Sequence, residues 1–145
     1  MSRLHAALCA TILALISPIA FAGDFPREGN PAVPNGVAAP FIGQWSVGFP
    51  DDETTIATST LVGCDDPLDI ALDGPEGIAL SRKTDIEPPV RLTLKAFAGR
   101  TNWLPVTTGL SSVIVWLDAD SFYRYEVSAT GKADWDWPFL HRRCD

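Results

Sequence analysis

Hydrophobic and polar residues alternate one by one along most of the chain from residue 41 onward. A period of two places apolar side chains on one face of a β-strand, whereas an amphipathic helix repeats every 3.6 residues. Clusters of Gly, Pro and Asp separate the alternating runs, as turns do between antiparallel strands. The pattern predicts eight strands, near residues 42–49, 54–62, 68–73, 77–83, 90–97, 112–118, 121–128 and 134–143, with room for a ninth short strand within residues 99–109.

These strands indicate one all-β domain. Many short strands with regular turn signals are typical of an antiparallel barrel or sandwich. The first predicted strand opens with Gly43 and Trp45, and the last one closes with Arg142 and Arg143. In a closed barrel the first and last strands pair, which leaves no open edge. We therefore expect an eight-stranded antiparallel up-and-down barrel over residues 41–145.

One predicted strand is apolar on both faces. Residues 113–117 have the sequence Val-Ile-Val-Trp-Leu, so the outward side chains Val113, Val115 and Leu117 need a cover in a barrel. We expect the N-terminal segment or residues 99–109 to lie over them. The less favoured alternative is an exposed patch of these three residues that binds a partner or a second copy of the chain.

The first 22 residues have the organisation of a secretory signal peptide. Arg3 supplies a positive charge, residues 6–16 form an apolar core, and Ala20 and Ala22 form an A-x-A cleavage site. The apolar core is shorter than the roughly 20 residues that a transmembrane helix needs. We therefore predict no membrane span, cleavage after Ala22, and a secreted or periplasmic protein.

Residues 23–40 differ in composition from the rest of the chain. They hold four Pro and three Gly among few large apolar residues, so they bury too little surface to offset the entropy of ordering. We predict a flexible leader that tethers the barrel domain of residues 41–145. The functional alternative is an arm that docks into the groove of a partner.

Acidic residues outnumber basic ones. The chain has 18 Asp and Glu against 11 Lys and Arg, with a formal net charge of −7. Loss of the signal peptide removes Arg3 and no acidic residue, so the mature chain is slightly more negative. Such a chain repels nucleic acid and anionic lipid at long range, and we expect no nucleic-acid partner.

Export also bears on the cysteines. Cys9 lies in the signal peptide, which leaves Cys64 and Cys144 as an even pair in an oxidising compartment. We predict a disulfide between them, and the alternative is two free thiols.

Motifs for catalysis or metal binding are not evident. The mature chain has one histidine, His141, and a nucleophile–histidine arrangement would have to use it. No Gly-x-Ser-x-Gly elbow, Gly-rich phosphate loop or His-rich motif occurs. The acidic runs at residues 51–53, 65–66 and 118–120 are each too small to supply six oxygens for Ca²⁺. We predict no enzyme activity, cofactor or metal site; a composite calcium site and sugar stacking on exposed tryptophans are weaker alternatives.

The Gly43-Gln44-Trp45 entry into the first strand resembles the Gly-x-Trp signature of lipocalins and their calycin relatives. In that superfamily an Arg near the end of the last strand packs across the first-strand Trp. The resemblance therefore implies that Arg142 or Arg143 packs on Trp45 and closes the barrel, and a cation over an indole is physically favourable. Lipocalins also often tie a mid-barrel strand to the C-terminal segment by a disulfide, as predicted here.

The resemblance implies a binding function. We expect a small apolar ligand at the open end of the barrel, with five candidate lining residues: Phe49, Tyr123, Tyr125, Trp135 and Trp137. A competing interpretation is a structural envelope protein, because large aromatic side chains can fill an eight-stranded barrel.

The chain also resembles, more weakly, the bacterial exported inhibitors of secreted metalloproteases. These are small eight-stranded barrels with a Gly-x-Trp entry and an N-terminal arm that enters the protease cleft. The resemblance implies that residues 23–40 are such an arm and that the partner is an exported protein. The chain departs from that group in its cysteines, which are distant in sequence rather than close.

Overall fold

The computed structural model describes residues 24–50 and 56–145. The predicted signal peptide and the acidic run at residues 51–53 lie outside these residues. A short 3₁₀ turn at Ala39–Phe41 precedes the strands, and none of the described residues forms a helix long and apolar enough to cross a membrane. The strands are β1 Gly43–Pro50, β2 Ala57–Val62, β3 Leu68–Leu72, β4 Gly77–Ser81, β5 Val90–Phe97, β6 Arg100–Pro105, β7 Ser112–Asp118, β8 Ser121–Glu126 and β9 Phe139–Arg143.

The strands form a closed antiparallel barrel. Strands β1 and β9 pair, with Trp45 opposite Arg143, and every other strand pairs with its neighbour in the sheet. Strands β2 and β3 lie end to end along the other edge of β1, where β2 pairs with residues 47–50 and β3 with residues 43–45. They act as one interrupted strand, so the predicted eight-stranded all-β barrel is confirmed.

The last strand begins later than the alternation predicted. It starts at Phe139 rather than at residue 134. The backbone N–H of Asp136 donates to Oδ1 of Asp134 at 3.3 Å, and such Asp bonds favour a turn. Trp135 and Trp137 therefore lie in the turn that precedes β9.

Apolar side chains form two clusters on opposite faces of the sheet, because successive residues of a strand point to opposite sides. The inner cluster fills one end of the barrel and includes Phe41, Trp45, Ile78, Trp103, Trp116 and Phe122. The outer cluster lies on β7, β8 and β9 and includes Phe25, Val113, Val115, Tyr123, Tyr125 and Leu140.

Residues 24–38, hereafter the N-terminal segment, lie against the barrel. Phe25 is buried in the outer cluster. The backbone N–H of Asn30 donates to the carbonyl of Trp116 at 2.8 Å, and its side-chain amide donates to the carbonyl of Leu117 at 3.0 Å. Tyr125 donates from its hydroxyl to the carbonyl of Pro26 at 2.7 Å. The segment for which composition predicts flexibility is thus packed without regular secondary structure, because the barrel supplies the apolar surface that the segment lacks.

The outward apolar residues of β7 lie beneath this segment. Val113 and Val115 are buried, and Leu117 packs partly buried against the same cluster. The intramolecular cover favoured by the sequence agrees with this packing, and the N-terminal segment supplies it. These three residues do not form an exposed partner patch.

Arg143, at the end of β9, contacts residues at the start of β1. Its Cζ lies 4.3 Å from the centroid of the Trp45 ring, and its Nη1 and Nη2 donate to the carbonyls of Ile42 and Pro40, both at 2.9 Å. Gly43 has φ +134°, and a Cβ at this position would lie 2.8 Å from Nη1 of Arg143. Glycine suits this backbone conformation, and a side chain at this position would displace the guanidinium of Arg143. Of the two arginines predicted to meet Trp45, Arg143 does so.

The predicted disulfide is present. Cys64 lies in the gap between β2 and β3, and Cys144 directly follows β9; their Cα atoms are 5.7 Å apart. The bond therefore ties the loop between β2 and β3 to the residue that follows β9.

Candidate functional site

The barrel is filled by aromatic rings at one end and contains a cavity toward the other. Phe41 packs on Trp116 and Phe122 with ring centroids 4.6 and 5.4 Å apart. Beyond these rings lies a cavity of about 390 Å³. Its apolar wall includes Val47, Leu61, Leu68, Leu80, Leu92 and Phe139.

Alternation along β8 and β9 brings polar side chains to this cavity. Phe122 belongs to the filled end, so Arg124, two residues later on β8, points to the same interior and lines the cavity. In β9, Phe139 and His141 line the cavity in the same way. The site therefore contains the guanidinium of Arg124 and the imidazole of His141 in a mainly apolar wall. The wall also includes Asp85 and Arg82, and Arg82 is paired with Asp66 at 2.7 Å.

Arg124 is held by weak contacts. Its Nε donates to Nε2 of His141, and its Nη1 donates to Ser112 Oγ and Glu126 Oε1, all at 3.4 Å. Its Cζ lies 4.3 Å from the centroid of the Phe139 ring. The side chain is 22% exposed. Burial lowers the pKa of Arg124 and Glu126 opposes this effect, but an arginine remains charged at neutral pH.

His141 is neutral and buried. Its ring stacks on Phe122, with centroids 4.5 Å apart and planes 12° apart. Burial lowers the pKa of His141 well below its ordinary value, and the positive charge of Arg124 lowers it further. Because Nε2 accepts from Arg124, the single proton of the neutral ring belongs on Nδ1.

Two buried N–H groups beside the cavity lack an acceptor. His141 Nδ1 and Trp103 Nε1 have no hydrogen-bond partner among the described residues, and the two rings, 6.1 Å apart, both border the cavity. Buried polar groups without a partner are uncommon and destabilising. Two buried N–H donors beside the cavity are therefore left without an acceptor.

The aromatic residues that the sequence predicted as ligand-lining lie elsewhere. Tyr123 and Tyr125 belong to the outer cluster, and Trp135 packs on Tyr125 with centroids 4.7 Å apart. Trp137 is 72% exposed. Phe49 comes nearest, because its ring packs 5.0 Å from that of Phe139, which does line the cavity.

The placement of the side chains of β8 has a physical reason. Phe122, Tyr123, Arg124 and Tyr125 are consecutive, so alternation alone does not tell which face is inside. A charged residue usually faces water, which by itself favours the tyrosine face of β8 as the inner one. The N-terminal segment buries the tyrosines from outside, and Arg124 faces the interior. The available signal was that Arg124 shares its face with Phe122.

A larger concave surface lies outside the barrel. It has a volume of about 590 Å³ and is lined by the turn at residues 126–136 together with Arg27 and Leu110. The guanidinium groups of Arg27 and Arg100 lie 5.5 and 5.1 Å from the centroid of the Trp135 ring. Its many charged side chains are solvated, whereas the interior cavity combines an apolar wall with a largely buried cation. We therefore regard the interior cavity as the candidate site.

The described residues contain no group of three or more His, Cys, Asp or Glu side chains that could hold a metal ion. Comparisons with protein-family models, with curated proteins and with solved structures found no match to this chain.

Proposed function

We propose that the protein is an exported, non-enzymatic carrier that holds a small apolar ligand in the barrel, as lipocalins do. The observation that supports this best is the cavity of about 390 Å³ with its mainly apolar wall. Small-molecule sites occupy roughly 300–1,000 Å³ and combine apolar walls with a few polar groups. An eight-stranded barrel has room for one small ligand when side chains do not fill it, and here the rings pack at one end.

Export is part of this proposal. The Cys64–Cys144 disulfide supports an oxidising compartment, and the predicted signal peptide at residues 1–22 supplies a route to it. The likeness to lipocalins is supported by the closure of the barrel, in which Arg143 lies over Trp45 and Gly43 leaves room for it.

The two other functions suggested by the sequence receive less support. An envelope protein with a filled core would not need a cavity. A protease inhibitor acting through its N-terminal arm would have to release Phe25 and Asn30 from the barrel, where they are buried or hydrogen-bonded.

Native mass spectrometry of the protein purified from its source tests the proposal, with a bound small molecule as the expected result. The neutral fluorophore 1-aminoanthracene should also bind the unliganded protein. Leu80→Trp, which places a large ring in the cavity wall, should abolish this binding. Ala79→Trp is the matched control, because Ala79 is the next residue of β4 and faces outward. A bare mass together with no binding of the fluorophore would contradict the proposal, as would equal binding by both variants.

A further inference from the structure

We infer that the ligand is a small carboxylic acid, with its apolar body in the cavity and its carboxylate against Arg124. This inference rests on the proposed function of the cavity and names the chemical class of its ligand. It is carried by three side chains that border one region of the wall: Arg124, His141 and Trp103.

The first argument is the environment of Arg124. A charge removed from water is destabilising unless it is paired and hydrogen-bonded. The three hydrogen bonds of Arg124 are all 3.4 Å long, beyond the usual 2.7–3.2 Å range for N–H···O. The side chain of the nearby Glu126 is 45% exposed, so this carboxylate is less buried than the guanidinium of Arg124. Arg124 is therefore a cation whose protein partners leave much of its hydrogen-bonding capacity unused.

The second argument is the excess of donors. His141 Nδ1–H and Trp103 Nε1–H have no acceptor among the described residues. Both nitrogens are covered, so the partly exposed Arg124 is the group that a ligand contacts first, and the two N–H dipoles add to the positive character of the wall. A ligand that brings acceptors and negative charge complements this wall, whereas an ammonium group adds donors and positive charge, and an alcohol brings an acceptor but no charge.

The third argument is the shape of the acceptor. A guanidinium presents a planar fork of donors that matches the two oxygens of a carboxylate. Most of the remaining wall is apolar, which favours an acid with a hydrocarbon body over a small fully hydrated anion such as phosphate.

Octanoic acid and octan-1-ol form a matched pair for the test, because they share the hydrocarbon chain and differ in the charged head. At pH 8 the acid is ionised, since a carboxyl has a pKa near 4. Isothermal titration calorimetry of the full mature chain should show octanoate binding at least about tenfold more tightly than octanol, as expected for one charge-assisted hydrogen-bonded pair.

Variants test whether Arg124 causes this preference for octanoate over octanol. Arg124→Met should weaken octanoate binding by about tenfold to a hundredfold and change octanol binding little, and Arg124→Lys should fall between. Glu126→Gln should tighten octanoate binding, because it removes a carboxylate that competes for the guanidinium. Arg91→Met is the control, since Arg91 lies on β5 outside the cavity and pairs with Asp73 at 2.6 Å.

The outcomes separate this inference from the proposed function. Equal binding of acid and alcohol by the wild type would overturn the inference that the ligand is an acid, as would equal weakening of both by Arg124→Met. Either result would leave the cavity as a ligand site. Binding of neither compound, or binding unaffected by Leu80→Trp, would overturn the proposed function itself. Circular dichroism checks the fold of each variant, and should Arg124→Met fail to fold, Arg124→Lys and Glu126→Gln decide the question.

Discussion

The guanidinium of Arg143 lies 4.3 Å from the centroid of the Trp45 ring, at the seam where the last strand meets the first. The same side chain donates to the carbonyls of Pro40 and Ile42 and forms an ion pair with Asp120 at 2.9 Å. One residue thus joins the entry to β1, the turn between β7 and β8, and the end of β9. Closure of the barrel depends on side-chain contacts as well as on the strand ladder.

Replacing Arg143 is expected to weaken this seam. Arg143→Ala should lower the free energy of unfolding by about 2–3 kcal/mol, from loss of the contact with Trp45 and of hydrogen bonds to the carbonyls. Arg143→Lys should recover part of the loss, because it keeps the charge but not the fork. Urea denaturation measures the effect. Arg91→Ala, which removes an exposed ion pair, should change stability by less than about 1 kcal/mol. An Arg143→Ala effect no larger than this control would refute the role of the seam.

Removal of the disulfide should destabilise the barrel strongly. Cys64 and Cys144 are 80 residues apart in sequence, and in the chain-entropy model a loop of this size contributes roughly 4 kcal/mol. The double variant Cys64→Ala, Cys144→Ala should therefore unfold at a much lower urea concentration than the oxidised wild type. The wild type under a reductant provides an independent comparison. A midpoint unchanged in both would show that the bond does not restrain the unfolded chain.

Stability should fall as the solution becomes mildly acidic, because of His141. Burial, with the nearby Arg124, lowers the pKa of His141 in the folded protein, while in the unfolded chain it stays near 6.5. The unfolded state therefore takes up the proton first as the pH falls. The contribution of neutral His141 to the free energy of unfolding is fully present above about pH 6.5. Below that pH it falls by about 1.4 kcal/mol per pH unit until the pKa of the folded state is reached.

The variant His141→Phe should be insensitive to pH over the same window. His141 is the only histidine in the mature chain as predicted, since His5 lies in the signal peptide, and most carboxylates titrate at lower pH. Urea midpoints at pH 7.5, 6.5 and 5.5 measure the difference. Parallel decreases in the variant and the wild type would assign the acid sensitivity to other groups.

The N-terminal segment should contribute to stability, in contrast to a flexible leader. Phe25 packs edge-to-face on Tyr123 with centroids 5.4 Å apart, and Phe25→Ala should cost about 3 kcal/mol, at the low end for a buried ring. Val37→Ala is the control, because Val37 is 40% exposed and should change stability by under about 0.5 kcal/mol. Thermal unfolding by calorimetry measures both. An equal effect of the two variants would favour a loosely attached segment.

Much of the architecture was predictable because strand alternation, turn residues and cysteine parity are local properties of the sequence. Seven of the predicted strands follow the structure closely, and the short ninth strand appears as β6 Arg100–Pro105. The last strand was predicted too long, because the apolar alternation of Trp135, Trp137 and Phe139 continues through a turn held by Asp134. The Gly-x-Trp entry indicated the seam but not which arginine would occupy it.

The candidate site was much less predictable. On β8 the faces that carry Phe122 and Tyr123 are both apolar enough to be buried, so the sequence pattern does not choose between them. The choice depends on Phe25 and the rest of the N-terminal segment, which cover one face from about a hundred residues away in sequence. With that face covered, Arg124 turns inward beside His141 and Trp103.

The sequence by itself thus determined an all-β chain with one disulfide and a Gly-x-Trp entry, since period-two burial and backbone geometry are encoded within a few neighbouring residues. Only the tertiary structure decided which face of each strand is interior, where the rings stop and the cavity begins, and that a charged side chain lies in its wall. Those features depend on the packing of segments distant in sequence, and that packing sets the burial, and with it the chemistry, of each polar group.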